Sequence, residues 1–268
     1  MSKDDFNPID LFSMYMKVTG VPTLAEFPSD DPALKGKKLG IVNGASWISL
    51  WTNYFGVKIL PGVKLINVGN EAVQLNFMGA HHRGEPCPPQ INIDLFAEYA
   101  EQLVKLYDVD AVMISCSTMN RAAGAVREAM AKHGVPVIQI DEAMMEEAVN
   151  HGGKILIVAT HGPTVDSTQA LLEETAQRLG KEVSFAGATV EEAFDLLGSG
   201  NIAGHNDVIA EAIREKTRQE KIDIVVLAQL SMTVFKLSHP DCVKEFGVPV
   251  LTSGETGFQR AGEILRNT

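Results

Sequence analysis

Long apolar runs are missing from this sequence. None approaches the roughly 18 residues that a membrane-spanning helix needs. Cysteine is scarce: Cys87, Cys116 and Cys242 are the only three, and an odd number cannot all pair within one chain. The opening Met1-Ser-Lys-Asp-Asp-Phe6 is acidic and lacks the apolar core of a secretory signal. Together these features predict free thiols in a reducing, cytoplasmic compartment. Positive charge is also in short supply. Lys+Arg number 23 against 34 Asp+Glu, a net charge of −11, which argues against general affinity for nucleic acid or anionic membrane. No Gly-x-Gly-x-x-Gly or Walker-type loop appears, so nucleotide binding has no support. Low-complexity segments are absent too.

What is present is an ordinary globular composition of 268 residues, 45% apolar and 21% charged, enough for one or two domains at roughly 150 residues each. The most informative feature is an internal repeat. Val109-Asp-Ala-Val-Met-Ile-Ser-Cys-Ser-Thr-Met119 matches Ile222-Asp-Ile-Val-Val-Leu-Ala-Gln-Leu-Ser-Met232 at an offset of 113 residues. At the same offset, Asp94, Ala97 and Glu98 fall on Asp207, Ala210 and Glu211, and Gly134-Val-Pro-Val137 falls on Gly247-Val-Pro-Val250. Lys38-Leu-Gly-Ile-Val42 resembles Lys154-Ile-Leu-Ile-Val158 at a slightly longer offset.

Apolar runs at residues 39–42, 111–114, 135–140, 155–159, 224–228 and 248–251 suit strands buried on both faces of a parallel sheet. Helical patterns lie between them at 93–107, 121–133, 168–179 and 207–220, with further helices at 141–151 and 258–266. Alternating strands and helices predict an α/β fold of two pseudo-symmetric, doubly wound parallel-sheet domains. The first domain is expected over residues 1–150 plus 255–268, with residues 1–37 as an added arm. The second is expected over 151–254, and the active site in the cleft between the two.

Ligands of open parallel sheets bind beyond the carboxyl ends of the strands. The segments there are Asn43-Gly-Ala-Ser46, Ser115-Cys-Ser-Thr-Met-Asn120, Thr160-His-Gly-Pro-Thr164 and Gln229-Leu-Ser-Met-Thr233. All are small, polar and free of lysine and arginine, offering backbone N–H groups and hydroxyls to a carboxylate or oxyanion. Cys116, placed between a strand and a helix start near Asn120, meets conditions that favour a thiolate. Arg83 is a candidate carboxylate clamp. His81, His82 and Cys87 suggest a metal, but adjacent histidines point apart on a strand and no second ligand pair follows, so a proline-punctuated loop is expected there and no metal. Trp47, Trp51, Tyr54 and Phe55 are expected to wall the site or to form a subunit interface, consistent with a homodimer or larger homo-oligomer.

The chain from about Lys38 onward resembles the aspartate/glutamate/hydantoin racemase superfamily. The resemblance rests on Ser115-Cys-Ser-Thr-Met-Asn120, similar to the family's first cysteine motif. It rests also on Thr160-His-Gly-Pro-Thr-Val-Asp-Ser167, similar to its threonine loop, and on Val225-Val-Leu-Ala-Gln229, similar to the strand that leads to its second cysteine. It implies cofactor-independent chemistry on a small carboxylic acid, with two opposed cysteines exchanging a proton at the α-carbon.

This sequence departs from that plan, because Gln229 stands at the second cysteine position and an amide is neither acid nor base near neutral pH. Cys116 is then the sole catalytic thiol. Asn43, Ser46, Ser117, Thr118, Thr160, Thr164, Gln229 and Ser231 are the expected substrate contacts, with Arg83 and His161 as further candidates. A lone thiol fits an isomerase working through an enolate-like or thiol-adduct intermediate, as in the maleate isomerase kind. It also fits a decarboxylase of the arylmalonate decarboxylase kind, or inversion with His161 or His205 as the second base. Each residue also has a simpler role: a core thiol at Cys116, helix caps at Asn43 and Ser46, loop hydrogen bonds at Thr160 and Thr164. A non-catalytic carboxylate-binding protein is the competing class.

Overall fold

The computed structural model describes residues 7–19, 29–160 and 162–268. Two compact units are formed: residues 1–114, 122–137 and 261–268 make the first, and 115–121 with 138–260 the second. Through the first half of the chain the elements are α1 (Pro8–Thr19), β1 (Lys38–Asn43), α2 (Ser49–Ile59), β2 (Lys64–Gly69), α3 (Glu71–His82), α4 (Gln90–Tyr107), β3 (Ala111–Ile114), α5 (Ala123–Ala131) and β4 (Val137–Gln139). Then follow α6 (Glu142–His151), β5 (Gly153–Ala159), α7 (Gly162–Leu179), β6 (Val183–Thr189), α8 (Glu191–Gly198), α9 (Ile202–Gln219) and β7 (Ile224–Leu227). The chain ends with α10 (Phe235–Ser238), α11 (Cys242–Phe246), β8 (Val250–Thr252) and α12 (Ser253–Leu265).

Two four-stranded sheets result, in the orders β2-β1-β3-β4 and β6-β5-β7-β8, and the pairings resolved in each are parallel. The α/β, doubly wound architecture is thus the one the sequence predicts. In the second sheet, Ile155, Ile157, Ile224 and Val226 pack against Met144, Met145 and Ala148 of α6 and Leu172 of α7. Their neighbours Leu156, Val158, Val225 and Leu227 face the other way, onto Ile209 and Ile213 of α9 and Phe235 and Phe246. Both faces are covered, so alternation disappears and the strands read as unbroken apolar runs.

The two halves repeat hydrogen bonds as well as residues. Asp110 Oδ2 accepts the Lys38 N–H at 2.7 Å, and Asp223 Oδ2 accepts the Lys154 N–H at 2.8 Å. The backbone N–H of each aspartate returns a bond to the carbonyl of the same lysine, at 2.9 Å in both cases. The Val112 and Val225 N–H groups donate to Pro136 and Pro249, again at 2.9 Å each.

Differences from the sequence reading lie at edges and ends. β2 and β6 are sheet-edge strands whose residues are mostly half-buried or exposed, so no continuous apolar run marks them. His81 and His82 close helix α3 rather than lying in a strand or loop. The segment after Cys116 begins as a 3-10 turn at Ser117, ahead of the expected helix start. In the N-terminal arm, α1 exposes Ile9, Leu11, Phe12, Met14 and Tyr15. Among the described residues no helix is long and apolar enough to cross a membrane.

Candidate functional site

In the second sheet the chain passes from β5 outward to β6 and then returns to β7 on the other side of β5. The carboxyl ends of β5 and β7 therefore flank the point where strand order reverses, where doubly wound sheets bind ligands. Thr160 follows β5 and Gln229 follows β7. They are bonded to each other: Gln229 Oε1 accepts the Thr160 N–H at 2.7 Å and the Thr160 hydroxyl at 2.9 Å. Thr160 is buried and Gln229 half-buried. With Oε1 fixed on two donors, the orientation of the amide is set. Its Nε2 donors make no hydrogen bond among the described residues.

Gln229 also starts a 3-10 turn, Leu230–Val234, from an extended backbone at φ −130° and ψ 142°. Its carbonyl accepts the Met232 N–H at 3.0 Å. Cys116 starts the corresponding turn, Ser117–Ala122, and its carbonyl accepts the Met119 N–H at the same 3.0 Å. The thiol and the amide thus occupy equivalent places in two equivalent turns. Cys116 is half-buried and its Sγ lies 3.1 Å from Thr118 Oγ1, a hydrogen bond. Ser117 is buried, and its hydroxyl has no partner among the described residues. A buried hydroxyl without a partner costs about 1–3 kcal/mol, which a bound oxygen would recover. Ser231, in register with Thr118, is likewise buried.

Other expected site residues are engaged locally. Thr164 is buried near the start of α7, its carbonyl accepting the Ser167 hydroxyl at 3.2 Å. In the first unit, Asn43 is fully buried and donates to Asn67 Oδ1 at 3.0 Å and Ser49 Oγ at 3.3 Å. Ser46 is exposed, and its N–H (2.9 Å) and hydroxyl both donate to Glu71 Oε1. Those donations, the hydroxyl's first among them, hold the Glu71 carboxyl below its ordinary pKa. Gly69 makes this approach possible, since a Cβ there would lie 2.8 Å from Ser46 Cα.

Arg83 is exposed and gripped by Glu85 through Nε and Nη2 at 2.8 and 2.7 Å. His161 lies outside the described residues. His205 is fully buried, bonded through Nδ1 to Asn206 Oδ1 at 2.8 Å, with no partner for Nε2 among the described residues. Burial pushes its pKa down, so it is neutral near pH 7. The other two thiols differ from Cys116. Cys242 is buried beneath the His239 carbonyl at 3.1 Å, and desolvation raises its pKa, as it does that of exposed Cys87. Among the described residues no cluster of three or more His, Cys, Asp or Glu side chains could hold a metal ion.

One titratable group escaped the sequence reading. Asp141 is buried at the end of β4, where desolvation drives its pKa up from 3.8 to about 6 against the hydrogen bond that Gln139 Nε2 donates at 2.8 Å. Its place at a strand's carboxyl end was the available signal.

A family model for Asp/Glu/hydantoin racemases matches residues 90–261. Several solved structures share the fold. An aspartate racemase homologue from Pyrococcus horikoshii OT3 is 18% identical, with a TM-score of 0.63 over 85% of this chain and 99% of that one. Glutamate racemase from Francisella tularensis, solved with D-glutamate, is 18% identical with a TM-score of 0.61, over 87% and 82%. Allantoin racemase from Klebsiella pneumoniae is 17% identical with a TM-score of 0.60, over 86% and 88%. A search of curated protein sequences gives no match. With more than half of its residues matched by the family model, the chain belongs to the Asp/Glu/hydantoin racemase family.

Proposed function

We propose that this racemase-family protein is a cofactor-independent isomerase of a small carboxylic acid, with Cys116 as its only catalytic thiol. The observation that carries the reading is the pair of equivalent turns, one opening on Cys116 and the other on Gln229, whose carbonyls accept the same bond from Met119 and Met232. Two-thiol racemisation needs an acid or base on each face of the α-carbon. Gln229 offers neither, and Thr160 fixes its oxygen. Its Nε2 donors suit a substrate oxygen that gains negative charge.

Two routes fit one thiol. In the first, the Cys116 thiolate takes the α-proton, and the C–H bonding pair delocalises into the carboxylate. The hydroxyls of Ser117, Thr118 and Ser231 and the Gln229 amide stabilise the resulting enolate, and Cys116 returns a proton from its side. In the second, the thiolate adds to one carbon of a double bond and the pair moves onto the neighbouring carbon beside the carboxylate. The former double bond then rotates, and the thiolate leaves as the double bond re-forms. A hydroxyl 3.1 Å from Sγ is placed to stabilise the thiolate that either route uses.

The test is a panel of small carboxylates incubated in deuterated water with the wild type and Cys116→Ala. It is read for α-deuteration, double-bond isomerisation and carbon dioxide release. The proposal expects α-deuteration or isomerisation that disappears in the variant. Carbon dioxide release, with deuterium only in the decarboxylated product, would make the protein a decarboxylase, and undiminished turnover by the variant would remove the thiol from the mechanism.

A further inference from the structure

Helices α4 and α9 share a register in the repeat, yet each uses its buried polar side chains differently. At the offset of 113, Asn92 and Ile93 of α4 fall on His205 and Asn206 of α9. Asn92 is buried and serves α3: its Nδ2 donates to the Val73 carbonyl at 3.0 Å, and its Oδ1 accepts from Asn76 Nδ2 at 2.8 Å. Asn206 is fully buried and serves the turn that opens on Gln229. Its Nδ2 donates at 3.1 Å to the carbonyl of Val234, the last residue of that turn, and at 2.8 Å to Ser238 Oγ of α10. A carbonyl only accepts, so Nδ2 must face Val234 and Oδ1 must face His205. His205 Nδ1, 2.8 Å from Oδ1, therefore carries the ring proton. Both ends of the Asn206 amide are thereby engaged, and a buried amide bonded in this way has one orientation.

We propose that Asn206, oriented by His205, is a positioning residue for Gln229, pinning the far end of its turn to α9 so that the amide is presented at the carboxyl end of β7. This rests on the reading of Gln229 as a donor to a substrate oxygen. The register itself does not demand an amide, since Ile93 fills it in the first copy. What differs is the turn that is served. Leu230–Val234 is held at two consecutive residues: Thr233 Oγ1 accepts the Gly254 N–H of α12 at 3.2 Å, and the Val234 carbonyl is held by Asn206. The helix that follows, α10, has only 4 residues and is a short anchor by itself.

From Val234 back to Gln229 the turn runs about 10 Å, at the roughly 2.0 Å rise per residue of a 3-10 helix. At its start, Gln229 Oε1 is gripped by the Thr160 N–H and hydroxyl at 2.7 and 2.9 Å. A turn released at Val234 therefore strains bonds that Asn206 itself does not make. The ring proton of His205 is committed to Asn206, and burial keeps the imidazole neutral. Its part is orientation, not proton transfer at the substrate.

The test follows single backbone amides by hydrogen exchange in 15N-labelled protein, read by NMR, with urea denaturation alongside. The reporter is the Thr160 N–H, whose bond runs to Gln229 and not to α9. Asn206→Ile, which installs the residue of the first copy, should lower protection of the Thr160 and Met232 amides about tenfold relative to those of β3, the scale of one lost hydrogen bond. His205→Phe should act in the same direction, and His205→Asn, which keeps a donor at the δ position, should restore the wild-type value. Ser238→Ala alters an exposed residue and removes one acceptor of the tie, so it reports a smaller loss even where Asn206→Ile does not fold. A Thr160 amide unchanged in either His205→Phe or Ser238→Ala, or a loss shared equally by every amide, overturns the proposal. With any acid that the wild type turns over, Asn206→Ile should lower kcat about ten- to hundredfold, the scale for a misplaced group, with KM little changed. It should lower kcat no further in a Gln229→Met background; losses that simply add would count against the link. Full kcat in Gln229→Met alone would reject the donor reading of Gln229, whereas the exchange of Thr160 reports the tie through Asn206 whatever that outcome.

Discussion

Replacing Asp141 by asparagine should change how stability depends on pH, and the size of the change follows from its burial. The carboxyl titrates at about 6 in the folded chain against an ordinary value of 3.8, with desolvation as the main cause. An acid with a raised native pKa holds its proton more tightly when folded. Its stabilising contribution is complete below the unfolded value, falls as pH rises, and is lost above about 6. The gap between the two values, at about 1.4 kcal/mol per tenfold change in proton affinity, corresponds to about 3 kcal/mol. Asparagine resembles the protonated acid, with one acceptor oxygen and a donor group, and it does not titrate. Urea denaturation of wild type and Asp141→Asn, one pH at a time, isolates this group from every other carboxylate. The variant should gain about 3 kcal/mol relative to wild type between acidic and mildly alkaline conditions, all of it as pH passes through the region between the two pKa values. A difference that stays constant with pH would show that Asp141 keeps an ordinary pKa in the fold, and one of opposite sign would mean that its ionised form is the one the fold prefers.

The Thr160–Gln229 pair separates two roles of one side chain. Gln229→Met removes the acceptor for two buried donors and should cost about 1–3 kcal/mol in thermal denaturation. Gln229→Glu keeps an acceptor and should melt near the wild type, yet lose turnover about 10²- to 10³-fold, as removal of an oxyanion donor does; full stability of Gln229→Met would dismiss the structural half of this account. Gly69→Ala forces a Cβ against the backbone at Ser46 and should destabilise by about 1–3 kcal/mol, measured as a lowered melting temperature. A neutral result there would mean that the turn after β1 moves freely.

The fold was legible wherever burial was complete. β1, β3, β5, β7 and β8 each carry a run of buried apolar residues, and the offset between Asp110 and Asp223 reappears as matching hydrogen bonds to Lys38 and Lys154. β2 and β6 were not legible, since an edge strand with half-exposed residues has no periodic signature of its own. The adjacent histidines were misplaced because Glu71–His82 has little amphipathic pattern, while Asn70, the capping residue whose side chain accepts the Ala72 N–H, is the local sign of a helix start. In the candidate site, Cys116 and Gln229 could be paired from the repeat alone. The Thr160 bond to Gln229 and the Glu71 carboxylate at Ser46 join residues from separate elements, and only the folded chain brings such partners together.

The central claim is that one of two equivalent turns keeps the chemistry and the other has given it up. It is tested most directly by following deuterium entry at the α-carbon of each enantiomer of a turned-over acid, in wild type, Cys116→Ala and Gln229→Cys. The account predicts exchange from one face only in the wild type, none in Cys116→Ala, and the appearance of the opposite enantiomer once a second thiol stands at 229. Equal exchange of both enantiomers by the wild type, with no loss in Cys116→Ala, would contradict it.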